Sequence, residues 1–237
     1  MHLSEVSAAL LGLVLPGRCA GCLLAGPSVC PACRAAAVPS VRAARPDPRP
    51  SGYPSTIAGA GYGGVVRRLV LAHKERGARA DEPVLATLLV AAVEQAVVGL
   101  RAGGAAAPPL RLLLVPVPGS TVGARRRGGT PLVSLTVRAA RLLQAGGQPA
   151  AVDRLLRQVR RDAPAQKSLP SAERAASRSG LLVARPARVG AGVILLVDDV
   201  STTGATLAEA ARALRAVGSP PAAAAVVAAT VLRHRPG

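Results

Sequence analysis

Residues 193–206 read VILLVDDVSTTGAT. Five aliphatic residues in a row, 193–197, suit a short strand buried on both faces of a parallel sheet. The run closes on two adjacent carboxylates, Asp198 and Asp199, and after Val200 come the small residues Ser201, Thr202, Thr203, Gly204, Ala205 and Thr206. A helix is expected over 204–217, where Leu207, Ala210, Ala211, Leu214 and Val217 recur at helical spacing. Glu209 early in that helix, Arg212 and Arg215 late in it and Gly218 as its stop all agree with the helix dipole. Strand, tight turn and helix in this order make the unit of an open α/β sheet.

The flanking sequence repeats the alternation. LLLVPV at 112–117 is a second candidate for a buried strand, and the apolar run 222–232 closes the pattern. Helices are expected over 65–74 and over 83–100, the latter with Asp81 as cap and Pro83 in its first turn. Another begins at Thr130-Pro131 and stops at Gly146-Gly147. Residues 158–180 are polar, basic and aperiodic, and read as a long functional loop. The expected class is α/β, a parallel sheet with helices on both faces.

Composition narrows the chemistry. In 237 residues there is no Phe and no Trp, and Tyr53 and Tyr62 are the only aromatics. The core must be aliphatic, and base stacking on an aromatic platform is excluded as a main mode of binding. Thirty bases, twenty-eight of them Arg, face twelve acids, a formal charge of +18. That excess favours polyanionic partners, phosphate ligands or nucleic acid. The apolar run 6–15 lacks the basic leader of a signal peptide, and 85–100 is interrupted by Glu94 and Gln95, so no membrane span is expected and a soluble cytoplasmic protein is. The first fifteen residues then read as an amphipathic helix packed on the rest.

All four cysteines fall in one short segment as Cys19-x2-Cys22 and Cys30-x2-Cys33. Two such knuckles can converge four thiolates on one tetrahedral Zn²⁺ with no open position, a structural site. Two disulfides, or a redox CxxC, are the competing readings; a reducing compartment disfavours the first and the doubling of the motif the second. The segment is poor in apolar residues, so metal binding would supply much of its folding free energy. Residues 34–56, with Pro39, Pro46, Pro48, Pro50 and Pro54, read as a linker or a surface coat.

The acidic pair carries the chemistry. A tight loop opening a helix offers backbone N–H groups and a positive dipole end to a phosphate, and the Thr hydroxyls add donors. Two carboxylates beside it would repel a bare phosphate. They suit a phosphorylated sugar, accepting from its ribose hydroxyls, with Mg²⁺ as an optional companion. The plainer alternative is that one Asp caps the helix. No GxxxxGK[ST] and no GxGxxG occurs, so neither a P-loop nor a dinucleotide fingerprint is present.

The segment resembles the phosphoribosyl-pyrophosphate (PRPP) motif of type I phosphoribosyltransferases. With a cysteine knuckle pair ahead of it, nearly the whole chain resembles the ComF family (competence protein F). Tyr62-Gly63-Gly64 with VVRRLVLAHKERG, matching at Lys74 and Gly77, VPVP at 115–118 with RRRGG at 125–129, and Gln166 with Glu173-Arg174 are similar to that family's landmarks. Departures are Gly129-Thr130-Pro131 in place of Phe-Asn-Gln, Ser177 in place of Asn and Leu182 in place of Phe.

The resemblance implies three regions: an N-terminal helix and double zinc-ribbon-like module (1–38), a Pro-rich linker (39–56) and a phosphoribosyltransferase-like domain (57–237). It implies PRPP with Mg²⁺ on Asp198, Asp199, Ser201, Thr202, Thr203, Gly204, Ala205 and Thr206. Pyrophosphate would fall to Arg125, Arg126, Arg127 and Lys74, with Arg160, Arg161 and Lys167 closing over it. The acceptor and the general base stay open, since His73 is the one histidine in the domain body and a lone histidine is most often structural. Two further classes also stay open. One is a PRPP sensor without turnover. The other, also implied by the resemblance, is an accessory factor in DNA uptake or single-strand processing that binds nucleic acid, with DNA-uptake proteins as partners, through its basic surface.

Overall fold

The computed structural model describes residues 17–76, 81–104, 110–119, 131–159, 180–188, 190 and 192–230. After the cysteine segment come α1 (Pro31–Ala36), β1 (Arg42–Ala43) and β2 (Thr56–Gly61), then α2 (Gly64–Arg76) and α3 (Glu82–Ala102). There follow β3 (Leu112–Pro116), α4 (Pro131–Ala145), β4 (Ala150–Val152), β5 (Leu156–Gln158), β6 (Leu182–Ala184), β7 (Val193–Ser201), α5 (Ala205–Arg215) and β8 (Ala223–Ala229).

Six strands form one sheet in the order β1-β2-β8-β7-β3-β4, and β5 pairs antiparallel with β6 in a separate ribbon. Every neighbour pair in the large sheet is parallel except β1–β2. The protein is therefore α/β with a mostly parallel mixed sheet flanked by helices. β7 lies between β3 and β8, with Leu195 opposite both Leu114 and Ala223.

Strand side chains point alternately to the two faces, and the two cores follow that period. Leu112, Leu114, Leu195, Val197, Ala223, Ala225 and Val227 pack with α2, α3 and α4. Leu113, Val115, Ile194, Leu196, Ala224 and Val226 pack with α5 and the β5–β6 ribbon. An all-aliphatic sheet of this kind needs close helix contact to exclude water. Gly59 permits it, because a Cβ there would lie 2.0 Å from the Leu88 carbonyl oxygen of α3.

Helix α3 extends two residues beyond the expected end and begins one residue earlier. By length and composition alone it is long and apolar enough to cross a membrane, a test that the buried core helix of a sheet protein also passes. In this fold half of its apolar window is buried inside the molecule, and Glu94 and Gln95 lie on its exposed side. Asp81 does stand at the cap position, but its side chain makes no capping hydrogen bond. It turns instead to His73, with Oδ1 3.3 Å from Nδ1.

The stretch 39–56 does more than link. Its β1 adds an antiparallel edge to the sheet, Ser40 N–H donates to the Gly59 carbonyl at 2.8 Å, and Ala44 and Tyr53 are buried in the α5-side core. The expected N-terminal helix over the first fifteen residues lies outside the described residues.

Candidate functional site

β7 lifts Asp198 and Asp199 to its carboxyl end, level with the ends of β3 and β8: Val117 N–H donates to the Val197 carbonyl at 2.9 Å, and Ser201 is in register with Ala229. This edge of an open α/β sheet is where ligands bind. Beyond it the chain bends through Thr202 and Thr203 and enters α5 at Gly204, whose φ of 74° is left-handed. Gly204, which has no side chain to offer, is the cap residue, and among the described residues no side chain hydrogen-bonds the first N–H groups of the helix. The acidic pair therefore does not serve as an N-cap, and the first backbone N–H groups of α5 remain available to an outside acceptor. Thr202, Thr203 and Thr206 are exposed beside them. Thr206 and Ala205 also line a small cleft of about 140 Å³ with Pro118, Gln158, Leu182 and Glu209.

The two carboxylates are not equivalent. Asp198 accepts the Asp199 backbone N–H at 2.8 Å. Burial, with repulsion from Asp199 second, pushes its carboxyl well above the ordinary value of 3.8; the Asp199 N–H and the Lys74 charge pull the other way without prevailing. Asp199 meets Lys74 of α2, Nζ to Oδ1 at 2.8 Å. Burial works against the Lys74 ammonium, but the two aspartates outweigh it and hold its pKa above the ordinary 10.5, so it is a cation at any physiological pH. A half-buried acid with a raised pKa beside a permanent cation, on a strand end, is a group of electrostatically poised residues of the kind found where ligands bind.

Ser201 is placed differently from its neighbours. It is buried, and its hydroxyl lies 3.0 Å from the Tyr53 hydroxyl, beneath the loop. Its hydroxyl is expected among the ligand donors on residue type, but Ser201 still belongs to β7, and where the strand gives way to the loop is not readable from residue type. Tyr53 was missed outright, since it sits in a proline-rich segment without periodicity.

His73 is buried and tied at both ring nitrogens, to Asp81 and to the Pro131 carbonyl at 3.2 Å. It struts α2 against α3 and α4 and does not face the acidic loop as a base would. Arg125, Arg126, Arg127, Arg160, Arg161 and Lys167 lie outside the described residues, as do Gly77, Gln166, Glu173, Arg174 and Ser177. Leu182 is buried in β6, where its N–H donates to Glu209 Oε1 at 3.1 Å.

The cysteines form a second site. The sulfurs of Cys19, Cys22, Cys30 and Cys33 all lie within 4.8 Å of one another, and all four are free. Metal–sulfur bonds of about 2.3 Å to one tetrahedral centre would separate the sulfurs by about 3.8 Å, and Cys22 and Cys30 stand 3.9 Å apart. A disulfide needs about 2.05 Å. The four residues can hold a metal ion, and the donor set is that of a closed tetrahedral site.

Backbone donors prepare the sulfurs for it. Gly21 N–H and Cys30 N–H point at Cys19 Sγ at 3.4 and 3.3 Å, and Cys33 N–H at Cys30 Sγ at 3.4 Å. Burial opposes the Cys19 thiolate, yet the N–H groups of Cys30, Cys22 and Gly21 bring its pKa down to about 6. Burial and the three neighbouring thiols push Cys33 up to about 12. The cluster packs on α2: Cys19 and Cys33 share a core with Val66 and Leu69, and Arg68 Nε donates to the Gly21 carbonyl.

Compared with protein-family models and with curated proteins, the chain has no match.

Proposed function

We propose that the chain binds PRPP with Mg²⁺ at the carboxyl end of β7, as a type I phosphoribosyltransferase-like protein, and that its cysteine module holds a structural Zn²⁺. The observation that carries the reading is the pairing of two carboxylates with a helix start at Gly204, five residues beyond Asp199, where the cap residue has no side chain. An acidic pair alone suits a metal or a sugar, and a bare helix start alone suits a phosphate. One strand end presenting both suits a sugar phosphate.

In this reading the N–H groups opening α5, with Thr202, Thr203 and Thr206, hold the 5′-phosphate. Asp198 and Asp199 accept from the ribose 2′- and 3′-hydroxyls. Mg²⁺, when bound near Asp198 and Asp199, would supply positive charge that offsets the ligand's phosphates. Lys74 restrains Asp199 and adds a positive charge near the leaving group. If turnover occurs, the C1–O bond to pyrophosphate breaks, the electron pair leaves with pyrophosphate, and an acceptor nucleophile bonds to C1. The large basic excess of the sequence supports a second reading, an accessory factor that binds single-stranded DNA through its phosphates.

Calorimetric titration with PRPP and Mg²⁺ tests the first reading, with Asp198→Asn plus Asp199→Asn as the comparison. Binding by the wild type and none by the double variant supports it. Equal affinity in both rejects the site. Pyrophosphate release over a panel of nucleobases then separates an enzyme from a sensor. Oligonucleotide binding that falls steeply with salt and ignores the double change marks the DNA reading.

A further inference from the structure

Tyr53 approaches the ligand loop from its inner side. Its hydroxyl lies 3.0 Å from Ser201 Oγ and 3.5 Å from the Ala44 carbonyl. Its ring edge abuts Gly204: a Cβ at that position would stand 2.6 Å from Tyr53 Cε2, 2.7 Å from Cδ2 and 2.9 Å from Pro46 Cγ. The segment around it is itself held. Arg49 stacks over the ring at 5.8 Å and donates to the Tyr53 carbonyl at 3.2 Å, Tyr53 N–H donates to Pro50, and Ala44 N–H donates to Thr56. Ser201 and Gly204 are buried against this strap, whereas Thr202 and Thr203 between them are exposed.

We infer that Tyr53 is a positioning residue, which fixes the Ser201–Gly204 bend so that its threonines and the α5 N–H groups face outward before any ligand arrives. The inference rests on the ligand-binding reading above for its consequence, but not for its geometry. A loop of small residues has little side-chain packing of its own and would lose much conformational entropy on gripping a phosphate. An aromatic ring wedged under a left-handed glycine removes that cost from the binding step. Gly204 is needed twice over, for its φ of 74° and for the space the ring fills.

The test uses Tyr53→Phe, which removes only the hydroxyl, Tyr53→Leu, which removes the ring, and Ser201→Ala. Amide exchange measured without ligand should speed up over 202–207 in Tyr53→Leu and, to a lesser degree, in Tyr53→Phe. Exchange in β3 and α4 should stay as in the wild type. PRPP–Mg²⁺ affinity should fall roughly 3–10-fold in Tyr53→Phe, as for one lost buried hydrogen bond, and further in Tyr53→Leu. Ser201→Ala added to Tyr53→Phe should cost no more than Tyr53→Phe alone, because the Tyr53–Ser201 contact is already lost in Tyr53→Phe. Unchanged exchange over 202–207 in both tyrosine variants overturns the inference. If Tyr53→Leu does not fold, Tyr53→Phe decides it alone. A wild type that ignores PRPP sinks the functional proposal, while the exchange measurement still settles the role of Tyr53.

Discussion

Lys74 Nζ stands 2.8 Å from Asp199 Oδ1, joining the third turn of α2 to the carboxyl end of β7. The lysine is about half exposed, at 46%, and the aspartate 16%. An ion pair this open contributes at most about 1 kcal/mol to stability. Its larger effect is on the acids, since it is the one basic side chain among the described residues that forms an ion pair with the Asp198–Asp199 pair. Lys74→Met is expected to move the thermal midpoint by less than about 4 °C and to weaken PRPP–Mg²⁺ binding at least tenfold. A calorimetric affinity equal to wild type would remove Lys74 from the site.

Asp198 should make stability depend on pH in a defined direction. Its folded pKa is raised by burial and by Asp199. A raised acid binds its proton more tightly when folded, so the associated stability is present below the unfolded pKa and is lost as pH rises through the folded one. At neutral pH, where the unfolded chain's Asp198 is ionised, its raised folded pKa costs the fold stability that it does not cost at low pH. Asp198→Asn is therefore expected to raise the thermal midpoint at pH 7, by roughly 2–4 °C for each kcal/mol relieved, and to give no gain near pH 3. Melting curves of both proteins across that range check it. The same variant should lose ligand affinity, the usual exchange of stability for function at a binding site.

The sheet and the acidic strand end were legible because buried parallel strands are continuous aliphatic runs, and β7 and β3 are of that kind. β2 was not foreseen: TIAGAG has neither β-branched density nor alternation, and it is a strand because α3 and β8 pack against it, with Gly59 open to Leu88. The cysteine cluster was legible in its spacing, which is local. The Lys74–Asp199 contact and the Tyr53 strap join residues more than a hundred positions apart, and no local pattern encodes such distances. Asp81 shows the converse, a residue with the right type and place for a cap whose side chain a tertiary partner, His73, has taken.

Metal removal should act beyond the cysteine module. Cys19, Cys33 and Ala37 lie in the same core as Val66 and Leu69 of α2, and Gly21 is packed so tightly that a Cβ would sit 2.6 Å from Cys33 Sγ. If a metal ion holds these four sulfurs, its removal would leave them with only their backbone N–H contacts, two of them, Cys19 and Cys33, buried. A chelator is expected to open residues 17–38 to protease first and then to speed amide exchange in the first turns of α2, with β3 and β7 protected. Unchanged cleavage over 17–38 after verified metal loss would refute a structural metal.

Two glycines near helix α3 should respond oppositely to the same substitution. Gly59 lies in β2 under α3, and a Cβ there would fall 2.0 Å from the Leu88 carbonyl oxygen and 2.6 Å from its carbon, backbone atoms that cannot rotate aside. Gly59→Ala must push the helix off the sheet, at an overpacking cost of at least about 2–3 kcal/mol, and the midpoint should drop by roughly 5–10 °C. Gly99 is within α3 itself, and nothing lies within 4 Å of a Cβ built on it. Gly99→Ala removes backbone freedom from the unfolded chain at no steric cost and should add roughly 0.5–1 kcal/mol. Thermal or denaturant unfolding of the two variants separates the effects. Equal behaviour would mean that α3 does not pack on β2 as closely as Leu88 and Gly59 indicate.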